Sequence, residues 1–375
     1  MTGRAVEASL LVDARALHLG GIGRYLREIL PRILVSPVFR RIVLLGNRDE
    51  LRAFAARHPS AAKLEIVPHV GSLYSLRSQA SWVRARMLGR AGASVAFFPH
   101  WDAPLALAPA RSVVTVHDLI HFRVPDAFPG WRRPAAGALL RRVVSRATRV
   151  IVDSTWTGQD LLAFAPAVRD KRRVVPLGVS EAFRPVVEEH VRLPVREPFL
   201  LCLGNKKRHK NLAAAVDVLA RLLPSYPDLQ LVVAGQPYAG WNDVLARATE
   251  LGVRAQTLDL PVVSDAELRV LYGRCAAFLF PSRYEGFGLP VLEAMACGAP
   301  VVASNASSVP EVAGDAAALF APEDVAGMAA AVSRLLTEPV YRAALLRKGR
   351  ERASAFSWDR TAQGTIGVLQ EAAAT

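Results

Sequence analysis

Glu285 and Glu293 are the residues of this chain whose type and spacing best suit chemistry. Seven residues separate them in the stretch EGFGLPVLE. An apolar run of strand length precedes the pair at 276–282. A segment with helix-forming character at 291–296 contains the second glutamate, Glu293. Because a helix N-terminus attracts anions, carboxylates placed there are expected to bind the hydroxyls of a sugar or ribose beside a bound diphosphate. The alternative is a capped core helix with two ordinary acidic residues.

A basic loop, GNKKRHKN at 204–211, is the second candidate site. It follows an apolar run and carries four cations, which are Lys206, Lys207, Arg208 and Lys210. Lysine acts on phosphate as a compact point charge and arginine as a planar fork. The loop is therefore predicted to hold a phosphate group.

Two weaker candidates lie in the N-terminal half. The glycines of GGIG at 20–23 stand between a strand ending near Asp13 and a helix predicted to begin around Arg24. They do not form G-x-G-x-x-G, so an ordinary turn is the alternative. His117 ends a second apolar run and has His121 four residues later, but no third ligand and no H-E-x-x-H motif is present, so no metal site is predicted.

Six segments, in order, resemble the retaining, nucleotide-sugar-dependent glycosyltransferases of family GT4 (glycosyl transferases group 1), which have the GT-B fold and include bacterial mannosyltransferases. They are GGIGRY at 20–25, TVHDLIHFRVPDAF at 115–128, VDSTWTGQDL at 152–161, VVPLGVSEAFRP at 174–185, LGNKKRHKNL at 203–212 and FPSRYEGFGLPVLEAMACG at 280–298. The resemblance covers almost the whole chain.

This resemblance implies three catalytic residues. Glu285 would contact the hydroxyls of the donor sugar, Lys210 would bind the donor pyrophosphate, and His117 would help to orient the sugar and the acceptor. Glu293 would hold the ribose hydroxyls.

The resemblance also implies further donor-binding residues. These are Gly21, Gly23, Lys206, Arg208, Gly286, Phe287, Gly288 and Leu289. The sequence departs from the family pattern at His209 and Asn205, where arginine is more usual. The identity of the second pyrophosphate cation, among Lys206, Lys207 and Arg208, therefore stays open.

The fold class follows from length and pattern. A chain of 375 residues suggests about two domains. Short apolar runs alternate with helical segments, which is typical of parallel sheets built from β-α-β units. The predicted strands are 8–12, 41–45, 64–67, 94–98, 112–116 and 149–152 in a first set, and 199–203, 229–234, 255–258, 276–280, 300–303 and 317–320 in a second. We expect two doubly wound, Rossmann-like α/β domains that face each other across a cleft.

The predicted domain bounds follow the proline-bearing stretch between the two sets of strands. They are an N-terminal acceptor-binding domain at 1–183, a linker at 184–198, a C-terminal nucleotide-sugar-binding domain at 199–360, and a last helix at 361–375. By resemblance, that helix crosses back to the N-terminal domain.

The charge is unevenly distributed along the chain. The net charge is +14, and residues 1–180 hold 27 Lys and Arg against 12 Asp and Glu. A basic surface suits phosphate-rich partners. The segments 77–90 and 139–149 mix arginines with apolar residues, so we expect reversible contact with an anionic membrane, although ordinary packed helices are the alternative.

The location is predicted to be cytoplasmic, and peripheral on the inner face of the cell membrane. The three cysteines have no C-x-x-C spacing, which suits a reducing compartment. No signal peptide and no transmembrane run is visible.

Taken together, the sequence predicts a metal-independent hexosyltransferase without a cofactor. The donor would be a nucleoside-diphosphate sugar, with GDP-mannose as the first choice, and the acceptor a saccharide or a lipid-diphosphate-linked saccharide in surface polysaccharide synthesis. One alternative is a nucleotide-sugar epimerase of the same fold. The other, suggested by charge alone, is a basic nucleic-acid-binding protein, but no RNP, KH or helix-turn-helix signature supports nucleic acid as a partner.

Overall fold

The computed structural model describes residues 8–60, 62–69, 93–103, 111–124, 130–185, 191, 193–238 and 240–375. The chain divides into two compact units. The first contains the described residues up to Leu119, together with Trp131–Gly178 and Trp358–Thr375. The second contains the described residues of Ile120–Gly130 and Val179–Ser357.

The chain passes into the second unit at Val179, before the predicted linker at 184–198. Local contacts explain this position. The N–H of Val179 donates to the carbonyl of Phe356 at 3.4 Å, and the ring of Phe183 lies edge-on to Tyr272. Residues just after Gly178 therefore already belong to the second unit.

The first unit is built on a sheet of seven parallel strands in the order β3-β2-β1-β4-β5-β6-β7. The strands are β1 (Ala8–Asp13), β2 (Phe39–Gly46), β3 (Lys63–Pro68), β4 (Val95–Phe98), β5 (Ser112–Val116), β6 (Arg149–Val152) and β7 (Arg172–Val174). The six strands predicted for this half are confirmed. β7 was not predicted because its sequence, Arg-Arg-Val, contains no apolar run.

The second unit is built on six parallel strands in the order β10-β9-β8-β11-β12-β13. The strands are β8 (Phe199–Leu203), β9 (Gln230–Ala234), β10 (Thr257–Leu260), β11 (Ala277–Phe280), β12 (Val301–Ser304) and β13 (Ala318–Phe320). β10 begins two residues later than predicted, because a 3-10 turn at Arg254–Gln256 precedes it. The prediction of two Rossmann-like parallel-sheet units is confirmed.

Helices connect these strands. In the first unit they are α1 (Gly20–Leu34), α2 (Arg48–Arg57), α4 (Arg133–Arg146), α5 (Thr155–Phe164) and α13 (Trp358–Ala374). In the second they are α3 (Ile120–Arg123), α6 (Leu212–Leu222), α7 (Trp241–Glu250), α8 (Asp265–Arg274), α9 (Leu289–Ala296), α10 (Val309–Ala313), α11 (Val325–Thr337) and α12 (Pro339–Ser354).

The central strands are buried on both faces, as expected for parallel sheets covered by helices. β4, β11 and β12 are buried at every position. This continuous burial explains why their sequences read as uninterrupted apolar runs. In the first unit, α13 packs against α1, so the last helix belongs to the same unit as the first strand.

Strand order determines where ligands can bind. β1 lies between β2 and β4, and β8 lies between β9 and β11, so each sheet changes its winding direction beside its first strand. Ligands of such sheets bind outside the carboxyl ends of the strands at this switch point. The loops after β1, β8 and β11 lie at these ends and carry most of the predicted site residues.

Candidate active site

The glycines after β1 lie inside α1, which begins at Gly20 and not at Arg24 as predicted. Gly20 has a φ of +49°. A Cβ on Gly23 would lie 2.7 Å from the carbonyl oxygen of Leu17, so glycine is required there by the protein's own backbone. Gly21 is exposed with open space around it. Of the two predicted donor-binding glycines, Gly21 therefore has the room for a ligand.

His117 follows β5, and both of its ring nitrogens have partners. Nδ1 lies 2.6 Å from Oδ2 of Asp153, and Nε2 lies 2.9 Å from the carbonyl oxygen of Pro99. Since a carbonyl can only accept, Nε2 carries a proton. Burial by itself lowers the pKa of His117, but the charge and hydrogen bond of Asp153 outweigh it, so the pKa is raised. This histidine is suited to orienting a ligand and not to accepting a proton.

The loop after β8 depends on two glycines in the left-handed region. Gly204 has a φ of +128° and Gly235 a φ of +136°. A Cβ on Gly235 would lie 2.2 Å from the carbonyl oxygen of Gly204, which excludes any side chain. A Cβ on Gly204 would lie 3.3 Å from the side chain of Lys210. These glycines let the loop close on itself and let Lys210 lie across it.

Lys206 is buried, with its side chain 1% exposed. Its ammonium group forms an ion pair with Asp259 and donates to the carbonyl of Leu260 at 3.1 Å. It also lies 4.8 Å from the centre of the Trp241 ring, and Trp241 donates to the same aspartate at 2.6 Å. The charge of Lys206 is thus already neutralised inside the unit, which counts against its predicted contact with a pyrophosphate.

The other members of the basic loop are placed differently. Arg208 is exposed and lies 3.5 Å from the exposed carboxylate of Asp243. The ammonium group of Lys207 lies 5.0 Å from the centre of the Tyr238 ring. His209 is buried, and burial together with the charges of Lys210 and Lys207 lowers its pKa to about 3. His209 is therefore neutral near pH 7 and adds no charge to this loop.

The second unit brings Lys210 and Glu285 together. Lys210 Nζ donates to Glu285 Oε1 at 2.6 Å, although the two residues lie 75 positions apart in the sequence. Their side chains are 14% and 13% exposed. Lys210 Nζ also lies 5.2 Å from the ring centre of Phe280, the last residue of β11. Two of the predicted catalytic residues thus form one contact at the carboxyl ends of neighbouring strands.

The Glu285 loop leads directly into α9. Gly288 is the N-cap, with a φ of +107°, and no side chain caps the helix. The first turn contains no acidic residue, so no carboxylate of the helix itself offsets its positive end. Phe287 is buried against Phe356, while Gly286 and Leu289 are half-buried.

Glu293 lies in the second turn of α9 and is 3% exposed. The hydroxyl of Tyr272 donates to its Oε2 at 3.4 Å. The predicted contact of this carboxylate with ribose hydroxyls stays a prediction.

The described ranges of the chain contain neither a cluster of metal ligands nor a membrane-spanning helix. No three His, Cys, Asp or Glu side chains within those ranges group closely enough to hold a metal ion. None of the helices there has the length and apolar character needed to cross a lipid bilayer.

Two family models match the chain in succession. "Glycosyltransferase Family 4" matches residues 19–183, and "Glycosyl transferases group 1" matches residues 184–352. A D-inositol 3-phosphate glycosyltransferase of Mycobacterium avium is 32% identical over 384 aligned positions, which cover 98% of this chain and 85% of the relative. The chain belongs to glycosyltransferase family 4. The resemblance inferred from its motifs is confirmed, and the matches do not support the epimerase alternative.

One further relative and one solved structure are similar to the chain over nearly its whole length. O-antigen chain mannosyltransferase B of Escherichia coli is 29% identical over 382 aligned positions, which cover 94% of this chain and 96% of the relative. The sucrose-phosphate synthase structure of Thermosynechococcus elongatus superposes with a TM-score of 0.77 at 20% identity, covering 97% and 98% of the two chains. The latter likeness shows the fold.

Several residues that contact the predicted site carry no motif in the sequence. Ser307 and Ser308 contact the Glu285 loop, and Asp259 neutralises Lys206. No local motif marks them, because each acts through a contact with a distant segment. The order of strands β8, β11 and β12 is the signal that could have placed the two serines beside Glu285. Gly21, Gly23 and His117 belong to the first unit, and the other predicted site residues belong to the second.

Proposed function

We propose that this chain is a metal-independent, retaining glycosyltransferase that moves a hexosyl group from a nucleoside-diphosphate sugar to a saccharide acceptor. The observation that carries the proposal is the contact between Lys210 and Glu285. Glu285 lies three residues before Gly288, the N-cap of α9, and no side chain caps this helix. A cation at the positive end of a helix suits a diphosphate. A carboxylate at the same place suits sugar hydroxyls.

In this reaction the anomeric C–O bond of the donor breaks, and its electron pair goes to the diphosphate. Lys210 and the positive N-terminal end of α9 stabilise the negative charge that develops there. The acceptor oxygen forms the new bond to the anomeric carbon, and its proton passes to the departing phosphate oxygen. Charge stabilisation by the protein replaces a divalent ion in this mechanism.

Retention of configuration is what the resemblance to the family implies. Retaining hydrolases place two carboxyl groups about 5 Å apart and use one as the nucleophile. Glu285 is held by Lys210, and Glu293 is buried with Tyr272. We therefore infer attack on the same face as the leaving group, with assistance from the leaving phosphate.

His117 contributes orientation in this proposal. Its two ring nitrogens hold Asp153 and Pro99, so the ring is locked in place and carries a raised pKa. A fixed imidazole can help to orient the sugar or the acceptor. Gly21 and Gly23 remain predicted donor contacts of the first unit.

The second pyrophosphate cation is Arg208 or Lys207 in this proposal. Lys206 is the least suited of the three candidates, because its ammonium is buried against Asp259. Arg208 is the best suited, since an exposed guanidinium can bind phosphate through two N–H groups.

For the donor and acceptor, we propose GDP-mannose and a saccharide carried on a lipid diphosphate, in surface polysaccharide synthesis. The support is the similarity along 94% of the chain to the O-antigen chain mannosyltransferase of E. coli. The name of the M. avium relative points to D-inositol 3-phosphate as the acceptor to test beside it.

A cytoplasmic, peripheral position at the inner face of the membrane fits this acceptor. α4 buries its apolar side, including Leu140, Val143 and Val144, and exposes Arg141 and Arg142. This helix contains no Asp or Glu. Just before it, Trp131 is 77% exposed, with the guanidinium of Arg132 stacked 4.5 Å from its ring centre. A cationic surface with an aromatic side chain suits an anionic leaflet. The segment 77–90, also predicted to contribute, lies outside the described residues.

The proposal is tested by thermal shift against a panel of GDP, UDP, dTDP and ADP sugars, since a ligand that binds the native state raises its stability. Donors that bind are then assayed for transfer to synthetic lipid-diphosphate saccharides and to D-inositol 3-phosphate, with and without EDTA. We expect GDP-mannose to bind and transfer to occur in EDTA with the anomeric configuration retained. Donor isomerisation without transfer, an inverted product, or a loss in EDTA that Mg²⁺ restores would each contradict a stated part of the proposal.

A further inference from the structure

The connector between β12 and α10 is bound to the Glu285 loop by side chains. The hydroxyl of Ser307 accepts a hydrogen bond from the backbone N–H of Glu285 at 2.8 Å. The hydroxyl of Ser308 lies 3.0 Å from the carbonyl oxygen of Glu285 and 2.8 Å from that of Phe287, to which it donates. Two consecutive serines therefore hold the backbone N–H of Glu285 and the carbonyl of Phe287.

A third bond extends this connection toward the sheet. The hydroxyl of Ser304, at the end of β12, donates to the carbonyl of Ser282 at 2.5 Å, and both residues are buried. The loop after β11 is thus fastened along its length to the segment after β12. We call Ser304, Ser307 and Ser308 the serine clamp.

The clamp has local costs. Ser307 adopts a φ of +53°, in the left-handed region that residues with a side chain rarely occupy. Ser308 is the N-cap of α10, where a serine hydroxyl normally accepts from the first turn of its own helix. No such capping bond forms, and the fully buried hydroxyl is directed to the Glu285 loop instead. Both serines therefore give up a local preference for the contact with this loop.

We propose that Ser307 and Ser308 are positioning residues for glycosyl transfer, acting through the backbone of Glu285. This inference rests on the function proposed above. The two serines fix the backbone from which the Glu285 carboxylate reaches Lys210. They also fix the carbonyl of Phe287, the residue before the N-cap Gly288. The carboxylate and the N-terminal end of α9 are consequently held in one arrangement, and the donor sugar meets a preorganised site.

The physical basis is the steep dependence of catalysis on geometry. A misplacement of about 1 Å at a positioned group can cost about 100-fold in rate. Loss of the clamp removes hydrogen bonds from the loop and leaves the charges of the site intact. Substitutions in the clamp are therefore expected to lower kcat by about 10- to 100-fold and to change KM for the donor little.

A matched pair at position 308 isolates the hydroxyl. Ser308→Thr and Ser308→Val add the same bulk to a buried site and differ in whether a hydroxyl remains. We expect Ser308→Thr to retain at least about ten times the kcat of Ser308→Val. Equal kcat values for the two variants would overturn the role of Ser308.

Ser307→Gly keeps the test independent of folding. Glycine adopts a φ of +53° without strain, so the variant is expected to fold while losing the bond to Glu285. We expect its kcat to fall at least about tenfold, with the melting temperature near that of the wild type. The control is Ser333→Ala, which removes a hydroxyl 2.8 Å from Tyr226 Oη and leaves the Glu285 loop untouched; its kcat should match the wild type.

The wild-type enzyme in the same assay separates the two proposals. Wild-type transfer together with undiminished kcat in Ser307→Gly would overturn the positioning role and leave the proposed function standing. A wild-type protein that transfers no sugar from any donor of the panel would overturn the proposed function and, with it, this inference.

Discussion

Replacing Glu285 by glutamine should change catalysis and nucleotide binding in opposite directions. Glutamine keeps the size of the side chain and removes its charge. In the native chain, that charge lies 2.6 Å from the ammonium of Lys210, and both side chains are mostly buried. The variant should therefore lose most of its transfer activity and bind a nucleoside diphosphate more tightly, because Lys210 is no longer neutralised.

The magnitude follows from the geometry of this pair. At an effective dielectric constant near 20, opposite charges 2.6 Å apart attract by about 6 kcal/mol. Dehydration of the two ions offsets most of this attraction, and hydrogen bonds between charged groups contribute about 1.5–3 kcal/mol net. Since the amide oxygen still accepts from Lys210, we expect about half of that net energy to become available to a diphosphate. This corresponds to about 4- to 12-fold tighter binding of GDP. Loss of one preorganised contact should lower transfer by about 10²- to 10³-fold.

The assay combines isothermal titration with GDP and initial rates of transfer. Lys210→Ala removes the ammonium group itself and should therefore lower both GDP binding and transfer. Glu285→Gln removes only the carboxylate that neutralises this ammonium group, so the two variants should differ in GDP binding. The matched control is Glu323→Gln, which removes the carboxylate of an exposed ion pair with Arg283 at 3.1 Å and should leave both quantities unchanged. Wild-type transfer in Glu285→Gln, or weaker GDP binding in that variant, would refute the reasoning.

Three further predictions concern stability and membrane binding. The pKa of His209 falls from 6.5 to about 3 on folding. Between these pH values the unfolded chain therefore binds a proton that the native chain does not bind. The neutral His209 contributes fully to the free energy of unfolding above pH 6.5, and this contribution is lost as the pH falls toward 3. Between pH 7 and pH 5 this group should lower the free energy of unfolding by about 2 kcal/mol, and urea denaturation should show a correspondingly smaller loss for His209→Gln; an equal loss in both proteins would contradict the buried, neutral histidine. Gly235 and Gly252 both have a positive φ, but only at Gly235 would a Cβ meet a backbone oxygen, at 2.2 Å. Gly235→Ala should therefore lower the free energy of unfolding by at least about 2 kcal/mol more than Gly252→Ala in a denaturation experiment. Similar losses in the two variants would show that the loop after β8 can move. The protein should sediment with anionic liposomes at low salt and lose this binding as ionic strength rises. Arg142→Glu should weaken this binding about fivefold or more, whereas the control Arg347→Glu, on α12, should not weaken it. Equal binding to neutral vesicles would favour a soluble acceptor.

Much of the fold could be predicted from the sequence because a parallel strand that is buried on both faces consists of a short run of apolar residues. The runs at 199–203 and 112–116 coincide with β8 and β5. β7 escaped prediction because an edge strand of three residues with two arginines carries no such pattern. The start of α1 was misplaced because glycine has a low helix propensity, whereas at Gly23 the close approach of the Leu17 carbonyl requires it.

What the sequence by itself determined is the inventory of chemical groups, their order along the chain, and the family that this order identifies. Only the tertiary structure decided which groups meet. Lys210 and Lys206 lie in one basic loop, yet the first reaches Glu285 and the second is buried against Asp259. That difference depends on which strand ends lie beside the loop after β8. Contacts between residues more than 50 positions apart depend on strand order and register, and local periodicity carries no information about either.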